Sequence, residues 1–224
     1  MKRSEVNRIL LDSIAFLRSM NFQLPPFAFY SVAQWRQVKQ DAREILDLGL
    51  GWDITDFGSG DFQNIGLTLF TLRNGRRDSA DYPKPYAEKI MISGHRQVTP
   101  MHFHWHKTED IIVRGQGRLA MELHWADERE ELGQQPVTVS IDGMRRTFAA
   151  GETVVFGPGE SICLPPRLYH RFCSLDGNCL LGEVSQVNDD FTDNRFLEPA
   201  GRFPQIEEDE PPQFLLCGDY AKFL

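Results

Sequence analysis

Residues 101–110 read MHFHWHKTED, ten positions that hold three histidines, a lysine and two acids. In an extended strand, side chains two apart share a face. His102, His104 and His106 therefore align while the strand runs on, and Glu109 falls on the wrong parity. A hairpin centred on His106 and Lys107 repairs that parity. Trp105 then opposes Thr108, His104 opposes Glu109, and His102, His104 and Glu109 converge on one side, with His106 and Lys107 at the tip.

Working outward, short runs rich in β-branched and aromatic residues recur on both sides of this stretch. They include GLTLFTLR (66–73), KIMISGHRQVTPMHFHW (89–105), DIIVRGQGRLAMELHW (110–125), VTVSIDGMRRTFAAGETVVF (137–156), SICLPPRLYHRFCSL (161–175) and CLLGEVSQV (179–187). Runs of this length joined by Asp-Gly, Gly-Glu and Pro-Gly predict an all-β sandwich or barrel. Asp176-Gly177 is a strong hairpin signal. With that pair as a two-residue loop, Leu175 opposes Asn178, and counting outward places His170 opposite Glu183, within cross-strand reach. A turn shifted by one residue pairs His170 with Ser185 instead.

Before the strands, residues 4–20 space Val6, Ile9, Leu10, Ile14, Leu17 and Met20 as one helical face, with Ser4 as N-cap. Two prolines break that helix, and Ser31 with Gln34 forms a capping-box pattern that opens a second helix over about residues 32–40. The chain thus divides into a helical extension over 1–45 and a barrel over 46–224, whose last part, EPAGRFPQIEEDEPPQF, wraps the surface with IEEDE as a solvated acidic face. Trp52, Phe103, Trp105 and Trp125 read as core aromatics. His95 and His124 read as ordinary strand or surface histidines.

The bulk numbers exclude several classes. A hydrophobic content of 41% over 224 residues supplies a sizeable core and argues against disorder. A net charge of −8 without a basic run disfavours nucleic acid and anionic membrane as partners. No apolar stretch reaches membrane-spanning length, and the start of the chain lacks a secretory pattern. Cys163, Cys173, Cys179 and Cys217 show no paired spacing and read as reduced thiols of a cytoplasmic protein.

Two histidines, a nearby glutamate and a distant histidine beside a carboxylate form a plausible centre for a first-row divalent ion such as Mn, Fe, Zn or Ni. An octahedral ion held by four protein ligands keeps two positions for neighbouring substrate oxygens. Surface histidines on a polar strand face are the bland alternative. The spacing His102-x-His104-x4-Glu109, followed by Gly115 and Gly117, resembles the first cupin motif; Gly151, Pro165 and His170 resemble the second, with Arg167 where that motif has glycine. QVTPMHFHWHKTEDII, GEVSQVNDDFTDNRF and the N-terminal helices resemble the D-lyxose isomerase family of cupins over nearly the whole chain, with VRGQGRL departing from its pattern after EDII.

The resemblance implies a mainly β fold, a cupin double-sheet, jelly-roll-like barrel with an N-terminal helical extension. It also implies a Mn²⁺-dependent aldose–ketose isomerase acting on D-lyxose with D-xylulose and D-mannose with D-fructose, as a homodimer. Within that reading, His102, His104, Glu109 and His170 hold the metal, and Glu183 is the first choice of base, with Glu109 its rival. Lys107 contacts a substrate oxygen or assists proton transfer, while Lys89, Asp190 and Arg195 bind sugar. The structural alternatives make Glu183 an orienting partner of His170, Lys107 an exposed turn residue, Lys89 an outward, solvated lysine, and Asp190 and Arg195 loop caps. Rival functions are a sugar-phosphate isomerase, an iron-dependent dioxygenase and a non-catalytic sugar-binding cupin. The first lacks an obvious basic cradle, because Arg167 and Arg171 are the best cations on offer.

Overall fold

The computed structural model describes every residue except Phe191 and Arg202. Among the described residues the helices are α1 (Arg3–Ser19), α2 (Val32–Val38), α3 (Arg43–Asp47) and α4 (Tyr220–Phe223). The strands are β1 (Gly51–Thr55), β2 (Leu67–Arg73), β3 (Tyr86–Ser93), β4 (Val98–His104), β5 (Glu109–Gly115), β6 (Arg118–Trp125) and β7 (Val137–Ile141). They continue with β8 (Met144–Phe148), β9 (Thr153–Phe156), β10 (Ser161–Leu164), β11 (Leu168–Leu175), β12 (Cys179–Gln186) and β13 (Asn194–Phe196). They form two antiparallel sheets, ordered β1-β2-β3-β12-β5-β10-β7-β8 and β13-β4-β11-β6-β9. None of the helices is long and apolar enough to cross a membrane.

The larger sheet is buried on both faces near β1–β3 and β12, and period-2 alternation explains how. Leu67, Leu69, Met91 and Leu181 point into the space between the sheets, where they meet Leu119, Met121, Leu123 and Phe172 of the smaller sheet. The intervening residues Phe70, Ile90, Ile92 and Leu180 point outward onto α1, against Val6, Ile9, Leu10, Ile14 and Leu17. The helix therefore caps the outside of the barrel and leaves the inside free for polar groups. The capping box of Ser31 and Gln34 is formed as expected, and its helix ends at Val38. Ser4 does not cap α1. Lys2 occupies that position, and the Ser4 hydroxyl instead donates to Asp209 at 2.6 Å. The acidic residues of the IEEDE run are exposed as expected, and Glu208, Asp209 and Glu210 also hold Arg3, Ser4 and Asn7 of α1.

Both hairpins expected around the site are absent. β4 lies in the smaller sheet and β5 in the larger, so residues 105–108 cross between sheets. β11 and β12 are divided in the same way. Asp176 and Gly177 do take the left-handed turn (φ 58° and 109°), but it joins strands of different sheets. The dipeptide signal makes a true hairpin at Asp142-Gly143, where Ile141 pairs with Met144. A turn signal dictates a reversal of the chain; it does not dictate that the two arms bond to each other. Here each arm finds other neighbours, β4 between β13 and β11, and β12 between β3 and β5.

Candidate active site

Cross-strand register, rather than a hairpin, assembles the histidines. His170 on β11 pairs directly with His102 on β4, and their rings lie 4.1 Å apart. His104 shares the inward face two residues on, and one ring nitrogen from each of the three lies within 4.8 Å of the others. Glu109, the first residue of β5, reaches them from the facing sheet: its Oε2 is 3.3 Å from His104 Nε2 and its Oε1 is 3.2 Å from His170 Nε2. The four residues named as ligands are thus brought together, by sheets that face one another rather than by paired arms.

The backbone fixes the ring nitrogens. Nδ1 of His102, His104 and His170 lies 2.7, 3.0 and 3.0 Å from the carbonyl oxygens of Pro100, Asp193 and Leu168 respectively. A carbonyl only accepts, so each Nδ1 carries a proton, and in the neutral ring Nε2 is left with the inward lone pair. Burial, followed by the charges of His170 and His104, holds the His102 pKa well below that of an ordinary histidine, which keeps its ring neutral. Nε2 of His170 is buried without a hydrogen-bond partner. Three inward-facing imidazoles and a carboxylate, with one buried ring nitrogen lacking a hydrogen bond, fit a divalent first-row cation.

Arg167 sits at the glycine position of the second motif and keeps a glycine-like backbone, φ 64°. Its N–H donates to His104 O at 2.9 Å, and its guanidinium lies 5.4 Å from the Phe103 ring and 5.6 Å from Trp105. The departure from the motif therefore changes a side chain on the outside while the tight turn before His170 is preserved.

Beside the histidines lies a network of charges. Lys107 is not at an exposed tip; it is 2% exposed and donates to Glu183 Oε1 at 2.9 Å, with Glu109 Oε2 at 2.7 Å. Lys89 faces inward directly opposite Glu183 in the β3–β12 register, 3.6 Å from Glu183 Oε2 and 3.5 Å from Asp190. Burial raises the Glu183 pKa, but the Lys107 and Lys89 ammonium charges outweigh it, and the net shift is downward. Glu109 follows the same balance, with burial opposed by Lys107 and His104, and ends well below the usual carboxylate range. Both carboxylates are thus ionised at neutral pH, and Lys107, lifted above an ordinary lysine by the same pair, is an ammonium.

Asp190 lines the same cavity, with Asn194 and Phe196. Arg195 does not. On β13, residues 194 and 196 point inward and 195 outward, where its Nε pairs with Glu130 at 3.2 Å. Its assignment to sugar binding is corrected accordingly. His106 and His95 are exposed, and His124 is buried in the smaller sheet with Nδ1 3.3 Å from Gly133 O.

Sequence reading missed three residues. Asp193 accepts from the backbone N–H of His106 and Lys107 (2.8 and 3.0 Å), fixing the crossover that turns Lys107 inward. Phe196 stacks on His102 at 5.3 Å. Asn188 places Oδ1 within reach of both lysines. All three lie in or next to the NDDFTDNRF run, whose density of short polar residues was the available signal.

Fold and site together define a double-sheet cupin barrel with a buried histidine–glutamate cluster between its sheets. The family model described as "D-lyxose isomerase" matches residues 1–220, and the chain belongs to that family of isomerases. It is 55% identical over 227 residues to a D-lyxose/D-mannose isomerase of Serratia proteamaculans and 52% identical over 226 residues to one of Escherichia coli O157:H7, each covering 100% of both chains. Among solved structures, the L-ribose isomerase of Cellulomonas parahominis with L-ribose superposes with a TM-score of 0.61 at 16% identity, covering 92% of this chain and 98% of that one. That likeness supports the fold.

Proposed function

We propose that this enzyme is a metal-dependent aldose–ketose isomerase that interconverts D-lyxose with D-xylulose and D-mannose with D-fructose. The names of the two full-length relatives support the two aldoses, D-lyxose and D-mannose. One observation carries the chemistry: three inward imidazole nitrogens, one without a hydrogen-bond partner, beside a spare ionised carboxylate, Glu183, flanked by two ammonium groups.

His102, His104, Glu109 and His170 would hold the cation, with Mn²⁺ the first choice among divalent ions. When bound, it would supply Lewis-acid stabilisation for charge on O1 and O2. Glu183 takes the proton from C2 and returns it to C1, through a cis-enediol. It suits that task because it is ionised, buried and not required as a ligand. Lys107 donates to the sugar oxygens as the carbonyl moves from C1 to C2 and a proton passes from O2 to O1. Glu109 is less basic beside a cation and serves as a ligand. Lys89 and Asp190 hydrogen-bond the remaining hydroxyls. The protein is read as a cytoplasmic homodimer by family resemblance, and its net charge of −8 disfavours nucleic-acid and anionic-membrane partners.

The test incubates metal-stripped protein with Mn²⁺ and a panel of free and phosphorylated aldoses. Ketose should form from D-lyxose and D-mannose. Turnover confined to phosphorylated sugars would overturn the substrate reading. A C2-deuterated aldose should lose deuterium to solvent, at least in part.

A further inference from the structure

Two lysines of the site share one acceptor. Asn188 Oδ1 lies 2.5 Å from Lys89 Nζ and 3.2 Å from Lys107 Nζ. Both nitrogens can only donate, so the amide must turn its oxygen toward them, and its two lone pairs serve two cations. Lys107 is 2% and Lys89 4% exposed, and each also faces Glu183. The two buried ammonium groups share Glu183, with Glu109 beside Lys107 and Asp190 beside Lys89, and they repel each other where water has little access to screen them. A neutral acceptor between them fixes their separation without adding a charge that would compete with Glu183.

Asn188 itself lies just past the end of β12, outside the sheet ladder, so its backbone needs another anchor. Asn74, just past the end of β2 and 5% exposed, supplies one. Its Nδ2 donates to Asn188 O at 2.9 Å and its Oδ1 accepts from Asn188 N at 3.0 Å. The side-chain amide imitates a strand partner and closes both backbone groups of one residue.

We infer that Asn188 is a positioning residue for isomerisation, holding Lys89 and Lys107 in register with Glu183, and that Asn74 acts on the reaction through Asn188. The inference rests on the proposed roles of Glu183 and Lys107. Asn188 sets where the two ammonium groups stand when charge develops on the sugar oxygens, so its loss lowers turnover more than sugar binding. Asn74 touches neither lysine, and its effect is contained in that of Asn188.

The test measures kcat, KM and metal content of Mn²⁺-loaded wild type, Asn188→Ala, Asn188→Asp, Asn74→Ala and the Asn74→Ala/Asn188→Ala double variant with D-lyxose. Asn188→Ala should lower kcat at least ~10-fold, with KM and bound metal within about twofold of wild type. Asn188→Asp keeps the shape but draws both ammonium groups from Glu183, and should lower kcat comparably. Asn74→Ala should lower kcat less, and the double variant should match Asn188→Ala within about twofold. Full turnover in either Asn188 variant would overturn the inference, as would multiplying effects of the two alanines or a kcat loss that tracks metal loss. If Asn188→Ala does not fold, Asn188→Asp and Asn74→Ala decide alone. Wild-type turnover in the same assay tests the underlying function separately, since an inactive wild type would remove that reading before any variant is compared.

Discussion

Arg3 and His170 are both shut off from solvent, at 0% and 1% exposure, yet their surroundings treat them differently. The Arg3 guanidinium is gripped twice over: Glu208 accepts from Nε and Nη2, and Asp219 from Nη1 and Nη2, all at 2.7–2.8 Å. The spare capacity of that cluster is also used, since Asp219 accepts from Leu216 N and Glu208 from Lys222. It clasps α1 to the C-terminal part of the chain and has no further partner to seek. Inside the barrel, His170 Nε2 lacks a hydrogen bond beside Glu109 Oε1, and Lys89 stands 3.5–3.6 Å from two carboxylates, its close acceptor being the neutral Asn188. A buried cluster that closes on itself contributes to structure; one left with unsaturated groups has capacity for a cation and a substrate.

That contrast can be broken most severely inside the barrel. His102→Ala and His104→Ala should each lose bound metal and activity together, by elemental analysis and ketose formation, while the fold persists by circular dichroism. An unchanged metal content would contradict the ligand set. Glu183→Gln should keep the metal and the fold but lower kcat by ~10²–10⁴-fold; wild-type turnover would remove its role as base.

The clasp should respond in the opposite sense. Arg3→Ala leaves two carboxylates facing each other with the cation gone, and should cost about 3 kcal/mol of stability in urea unfolding. Metal content and kcat of the folded fraction should stay unchanged. A smaller effect follows from pH. The Arg3 hydrogen bonds outweigh burial and, with Lys222, hold the Glu208 carboxyl down to about 2. A carboxylate with a depressed folded-state pKa stabilises fully above its unfolded value and loses that contribution as pH falls. Stability of the wild type should therefore decline as pH drops from about 4.5 toward 2, and the Arg3→Ala variant should decline less over that window. Parallel curves for the two proteins would sink the assignment.

The sequence made some parts of this contrast legible and hid others for a physical reason. His102, His104 and Glu109 could be named because local spacing carries them, and His170 because Gly151 and Pro165 precede it in the second motif and the Asp176-Gly177 signal follows it. The pairing that unites them could not be read. Strand parity says which face a residue takes but not which sheet the strand joins, so both hairpins were misassigned although the residues still converge. Lys107 looked like a tip residue for the same reason; a crossover held by Asp193, 86 residues away, turns it inward. Arg195 went wrong because β13 is only three residues long and gives no periodicity to read. The bonds of Glu208, Asp209 and Glu210 to α1 could not be read because their partners lie more than 200 residues earlier.

Titration of metal-stripped protein with Mn²⁺, following bound metal and ketose formation from D-lyxose in the same samples, tests the central claim most directly. Activity should start from nothing, rise in proportion to occupancy and reach its plateau at one ion per chain. Full turnover in the stripped protein, or a plateau unrelated to a single high-affinity site, would contradict the assignment of His102, His104, Glu109 and His170.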